Sequence, residues 1–91
     1  MRRLVGAMVY EEVHENVEVI SLFRQGKMRP LKFKWNERVY RVTQVNGGWV
    51  SEEGANRFFH YSVMVGGPDC FELCFDSRSM SWELARVCLD G

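Results

Sequence analysis

A chain of 91 residues has room for one domain and not for two. Its 46% hydrophobic content, with six Phe, three Trp and three Tyr, excludes a disordered polymer, which could not offset its conformational entropy by burial. Twelve basic and twelve acidic residues cancel, so net charge gives no overall pull toward nucleic acid or a membrane surface.

The charge is unevenly spread. Residues 1–45 hold nine basic and five acidic residues, and residues 46–91 hold three and seven, which makes the halves +4 and −4. Arg2 and Arg3 precede an apolar run from Leu4 to Tyr10, but Glu11, Glu12 and Glu15 follow at once and no cleavage-site pattern appears. No stretch approaches the ~18 apolar residues of a membrane span. With Cys70, Cys74 and Cys88 an odd count, the expectation is reduced thiols and a cytoplasmic protein.

Residues 1–16 are expected to be a flexible segment or a short edge element, and residues 17–91 a single β domain. Gly and Pro punctuate short runs rich in Val, Phe, Tyr and Trp, the signature of strands bounded by turns. Strands are predicted over Val17–Phe23, Pro30–Trp35, Arg38–Val45, Trp49–Ser51, Arg57–Val65, Cys70–Asp76 and Met80–Val87. Gly47-Gly48 and Gly66-Gly67 read as turn glycines. A helical turn before Asn16 or around Ser51–Asn56 is the longest helical feature the apolar spacing allows.

A one-residue slip moves every side chain of a strand to the opposite face, so register can be read from matching apolar positions. With Asn36-Glu37 as a connection, Trp35 faces Arg38, Phe33 faces Tyr40 and Leu31 faces Val42. The other face then sets Lys32 opposite Arg41 and Lys34 opposite Val39. With Gly66–Cys70 as an odd-length loop, Val65 meets Phe71, Val63 meets Leu73 and Tyr61 meets Phe75. With Asp76–Ser79 as the last loop, Phe75 meets Met80, Leu73 meets Trp82 and Phe71 meets Leu84. The core face becomes Phe59, Tyr61, Val63, Val65, Phe71, Leu73, Phe75, Met80, Trp82 and Leu84, packed against Leu31, Phe33, Trp35, Tyr40 and Val42. The fold expected is all-β, a small antiparallel meander of six to seven strands forming a barrel or a strongly bent sheet.

The run Arg29-Pro30-Leu31-Lys32-Phe33-Lys34-Trp35, followed by Val39-Tyr40-Arg41-Val42, Trp49, Glu72-Leu73-Cys74-Phe75-Asp76 and Trp82-Glu83-Leu84, resembles a family of short, uncharacterised bacterial all-β proteins. The pattern spans about residues 17–88. The resemblance implies a compact bacterial, cytoplasmic β domain, and segments similar to it occur near DNA-repair polymerases. Its matching positions are core aromatics and aliphatics, so it transfers no active-site residue.

Two surfaces can carry chemistry. Arg24, Lys27, Arg29, Lys32, Lys34, Arg38 and Arg41 form a basic stretch interrupted only by Glu37, and Lys32, Lys34 and Arg41, with Arg29 and Arg38 nearby, are its candidate contacts. On its hairpin face Lys32, Lys34 and Arg41 could track a phosphate backbone while Trp35 or Tyr40 stacks on a base. The bland counterpart is a solvated outer face whose lysines discourage edge pairing. The second surface holds His60, Ser62, Cys70, Glu72, Cys74 and Asp76, with His60 expected across from Asp76 and Ser62 across from Cys74. His60, Cys70 and Cys74 are an outside candidate for metal, but Cys70 and Cys74 lie ~13 Å apart along one strand, too far for one ion. A thiol nucleophile is disfavoured because Glu72, Glu83 and Asp76 crowd it and would raise its pKa. Glu72 facing Glu83 would be a carboxylate pair of the solvated kind. His14, among nearby glutamates, has no assigned partner.

The sequence therefore points to a non-enzymatic binding or adaptor domain without cofactor, contacting nucleic acid through the basic hairpin. The alternative is a protein–protein interaction module that self-associates, and a homodimer fits the apolar residues on both sides of Val17–Phe23.

Overall fold

β-branched and aromatic residues at alternating positions fit a pleated surface with one buried face. In the computed structural model, which describes the backbone of residues 2–5 and 8–90 and the side chains of residues 9–89, they build strands throughout. These are β1 (Arg2–Val5), β2 (Met8–Arg24), β3 (Lys27–Trp35), β4 (Arg38–Arg41), β5 (Gln44–Glu53), β6 (Asn56–Met64), β7 (Cys70–Asp76) and β8 (Ser81–Asp90). No helix of the described residues is long and apolar enough to cross a membrane.

All pairings are antiparallel, in the order β4-β3-β2-β8-β7-β6-β5, with β1 on the outer side of β2. Of the two forms expected, the sheet takes the strongly bent one and leaves the barrel open. The bend begins in β2, whose residues 8–17 pair with β8 and residues 18–24 with β3. Bulges lie on β2 between Glu12 and Glu15, where His14 takes φ 53°, and at Ile20/Ser21 against β3. Each bulge adds a local kink and tightens the twist. The β3–β4 hairpin thereby swings over β7. The Phe33 ring centroid lies 5.5 Å from Phe71 and 5.1 Å from Tyr40, which is itself 5.4 Å from Phe71. Around this triad lie Val63, Leu73, Phe75, Trp82, Leu84 and Val87, all buried. Each such side chain contributes ~1.5–3 kcal/mol by leaving water.

The β3–β4 register is as expected: Lys32 pairs with Arg41, Phe33 with Tyr40, Lys34 with Val39 and Trp35 with Arg38. Both residues of the Asn36-Glu37 turn have positive φ, 52° and 64°, the backbone of the two-residue hairpin turns that match strand twist. Gln25-Gly26 repeats it at 53° and 75°.

Four expectations are corrected. The strand expected from Val17 starts at Met8, because Val13 and Val17 both reach the core and the bulge between them takes up the polar residues there. The predicted strand Arg38–Val45 breaks at residues 42–43. There Val42 N–H donates to Leu31 O (2.9 Å) and Thr43 N–H to Met64 O (2.9 Å), so the chain turns a corner from one half of the sheet to the other. Gly47-Gly48 is no turn but lies inside β5. A Cβ on Gly48 would come within 3.1 Å of His60 O and 3.4 Å of the Tyr61 ring, so the absent side chain leaves room for that ring. Residues 51–56 hold the β5–β6 hairpin, with Gly54 at φ 60°, and no helical turn.

The two C-terminal hairpins keep their predicted faces but shift along the strand. Val63 pairs with Phe71, Tyr61 with Leu73 and Phe59 with Phe75, around a five-residue loop Val65–Asp69. Phe75 pairs with Trp82 and Leu73 with Leu84, because the loop runs from Ser77 to Met80. Asp76 fixes that loop: its carboxylate accepts from the Arg78 amide (2.9 Å), and its carbonyl accepts from the Met80 amide (2.8 Å) at φ 57°. Met80 consequently stands 71% exposed, outside the core. Leu31 also leaves the predicted core, as the extra residue of the β3 bulge, and Pro30 takes the buried position.

Glu37 strains the β3–β4 hairpin, since an L-residue in left-handed backbone meets its own carbonyl. Glu37→Gly should raise stability by ~0.5–1 kcal/mol, seen as a higher urea midpoint at unchanged m-value.

Candidate functional site

Strand alternation, reset once by the bulge at Leu31, puts Met28, Pro30, Phe33 and Trp35 of β3 inward and Lys27, Arg29, Lys32 and Lys34 outward. Register adds neighbours on both sides of that outward row. Arg41 stands across from Lys32 on β4, and Arg24 across from Lys27 on β2. Six cations thus share one face, and the row from Lys27 to Lys34 is ~23 Å long at ~3.3 Å per residue. Glu18, across from Lys34, is the acidic residue that β2 places on this face. Between the cations lie the exposed aliphatics Ile20, Leu22 and Val39.

Electrostatic partners for this row are scarce. Among the described residues, the Lys and Arg ion pairs are Lys34–Glu37 at 3.9 Å, Arg57–Glu52, and Arg86 with Glu12 and Glu72. Arg24, Lys27, Arg29, Lys32 and Arg41 enter none of them. The one remaining member of the predicted set, Arg38, falls on the core side, with its guanidinium 5.4 Å from the Tyr40 ring centroid. Trp35 and Tyr40 face the core as well, so neither ring stands on the basic face. The rings open to solvent are Phe23, 70% exposed beside the β2–β3 turn, and Trp49, 47% exposed on β5. Arg24 and Lys27, read from sequence only as part of the basic stretch, join this face, whereas Phe23, across from the inward Met28, lies on the other side of the sheet. The Gln25-Gly26 pair was the available signal, since a tight turn there brings Arg24 and Lys27 opposite each other.

The second predicted surface is rearranged by the shifted registers. His60 lies across from Cys74 and not from Asp76, and Ser62 across from Glu72 and not from Cys74. Cys70 lies across from Cys88, and its sulfur is 2.8 Å from Ser62 Oγ. Among the described residues no three His, Cys, Asp or Glu side chains converge as a metal site, so His60, Cys70 and Cys74 do not form one. Glu72 faces Arg86 rather than Glu83, so the expected carboxylate pair is an ion-pair ladder instead. Arg86 sits 3.2 Å from Glu12 and 3.6 Å from Glu72, and His60 Nδ1 is 3.9 Å from Glu72. His60 also hydrogen-bonds Ser51 Oγ through Nε2 at 2.7 Å and stacks flat on Trp49, 5.0 Å between centroids. Burial, reinforced by Glu83, Glu72 and Asp76, pushes the Cys74 thiol up to about 11. A thiol so placed stays protonated at neutral pH and is a poor nucleophile.

His14, unassigned from sequence, bridges two carboxylates: Nδ1 lies 2.8 Å from Glu83 Oε2 and Nε2 2.9 Å from Glu12 Oε1. Both nitrogens can donate only in the imidazolium form. The hydrogen bonds to Glu83 and then Glu12 accordingly raise its pKa above the ordinary histidine value of 6.5.

Comparison with known proteins returns no matching family model, no matching curated protein and no matching solved structure.

Because the folded pKa of His14 is raised, the stability it adds is fully present below 6.5 and is lost as pH rises through the folded value. Relative to His14→Asn, which tolerates the same left-handed backbone, the wild type should hold an advantage in urea unfolding at pH 5.5 that disappears by pH 9. Solvent screening keeps this effect small at so exposed a site.

Proposed function

We propose that this protein is a non-enzymatic module that binds single-stranded nucleic acid along the outer face of β2, β3 and β4. The observation that carries the reading is a row of cations without carboxylate partners: Lys27, Arg29 and Lys32 on β3, flanked by Arg24 and Arg41. Like charges set directly across a sheet, such as Lys32 and Arg41, destabilise each other. A chain of zero net charge has acids to spare, yet places them elsewhere: Glu12, Glu72 and Glu83 serve Arg86 and His14 on the opposite half of the sheet. A polyanion lying along the row removes the repulsion and releases its own condensed counterions.

Nucleic acid suits the surface better than an isolated anion. The row is extended rather than cupped, which fits a polymer with regularly spaced phosphates. Beyond its Arg24–Lys27 end stands the exposed Trp49 ring, across the same groove from Lys27, and bases stack on such rings without regard to sequence. The unreactive Cys74 thiol and the Arg86-bound carboxylates on the other half favour binding over catalysis.

Five or six phosphate contacts give a slope of about −4 for log affinity against log salt on single-stranded DNA. Replacing Lys32, Lys34 and Arg41 together with Ser should flatten that slope by ~2 and abolish retention on immobilised single-stranded DNA at physiological salt. Arg78→Ser, which removes a cation from the last loop, should leave retention unchanged. Retention of the triple variant equal to wild type would dismiss this face as the site.

A further inference from the structure

The open side of the sheet is a gap between two strand edges. Among the described residues β5 ends the strand order and pairs only with β6, while residues 27–30 of β3 extend past the end of the β3–β4 ladder. The two edges are tied at one end by Val42 N–H to Leu31 O and Thr43 N–H to Met64 O. Between them lies an apolar groove of about 530 Å³, lined by Phe23, Met28, Val50, Phe59, Tyr61 and Phe75. It continues toward Thr43 along a wall that includes Arg24, Lys27 and Arg29.

We propose that this gap receives an extended segment of a partner protein in which acidic and apolar residues alternate, added as a strand to the edge of β5. The alternation follows from the faces of the flanking strands. An inward residue of the added strand meets Met28 on one side and Val50 on the other, above Phe59 and Tyr61. An outward residue passes Lys27 and Arg29 on the β3 side and Trp49 on the β5 side. Those cations have no carboxylate partner among the described residues, so acidic side chains complement that row.

The edge itself favours β5 as the template. Native edges are blunted by Lys and Pro, and β3 carries Lys27 and Pro30 in this stretch, whereas β5 has no Lys, Arg or Pro from Gln44 to Glu53. Val50 is 53% exposed there. A second copy of this chain is a poorer occupant: its own β5 is joined to β6 on one side, while the gap offers pairing surface to a strand open on both. Strand addition of this kind draws affinity from main-chain hydrogen bonds and specificity from alternate side-chain pockets.

The test titrates isotope-labelled protein with two blocked peptides, one alternating Glu and Val and one alternating Lys and Val, reading amide shifts and hydrogen exchange. The Glu–Val peptide should shift Gln44–Val50 and Lys27–Met28, slow β5 amide exchange, and bind at least about tenfold tighter than the Lys–Val peptide. Val50→Glu, at an exposed position that folding tolerates, should weaken it more than about tenfold while leaving single-stranded DNA retention intact, which separates this site from the basic face. Four outcomes would overturn the proposal: no binding, shifts confined to Lys32, Lys34 and Arg41, insensitivity to Val50→Glu, or a sedimenting dimer whose β5 amides are already protected.

Discussion

The structure depends on β2 serving two partners in succession. Its first half pairs with β8 and its second half with β3, so the β3–β4 hairpin is carried back over the inner face of the sheet. Phe33 lands on Phe71 and Tyr40 packs beside both. A chain of this size buries only a little over ~60% of its unfolded surface, so such a contact between the two halves is what turns a one-sided sheet into a closed core. Without it, Phe71, Leu73, Trp82 and Leu84 would line an apolar face open to water.

The same bend segregates the charges. Folding the β2–β4 half back turns its outward residues, six of them basic and Glu18 the acidic one, away from the acidic half that follows in sequence. The acids of the β2–β8 region then find Arg86 and His14 locally and cannot reach Lys27, Arg29 or Lys32. The +4 and −4 halves of the chain therefore become two surfaces rather than one neutralised one. The bend stops short of full closure: the corner at Val42-Thr43 ties the β4 and β5 ends of the sheet together covalently, but no ladder joins β5 to β3. The exposed edge, the apolar groove and the cations beside it all result from that missing strand.

Much of this was legible in the sequence, for a definite reason. Alternation of apolar residues decides which face is buried, and alternation has period two, so a register displaced by two residues gives the same faces. This is why Val63, Phe71, Leu73, Trp82 and Leu84 were placed inside although two of the three predicted hairpins were displaced. The Asn36-Glu37 hairpin was placed correctly because polar residues flanked by matched aromatics leave one register open. Bulges are another matter. The extra residues at His14 and Leu31 alter no local pattern of polarity, so the inward position of Pro30 could not be read. Nor could the left-handed Met80, whose place in the loop follows from Asp76 accepting amide hydrogen bonds rather than from its own apolar side chain. Gly47-Gly48 misled because a glycine pair signals a turn far more often than a strand that must clear a neighbouring tyrosine ring.

The central claim is that the two halves of the sheet share one interior through Phe33 and Phe71. Proton NMR on selectively Phe-labelled protein tests it directly. The structure, with ring centroids 5.5 Å apart, predicts strong nuclear Overhauser effects between the two rings and from Phe71 to Tyr40. Cross-peaks from Phe33 restricted to its ladder neighbours Val19 and Tyr40, with none to Phe71, would contradict the account.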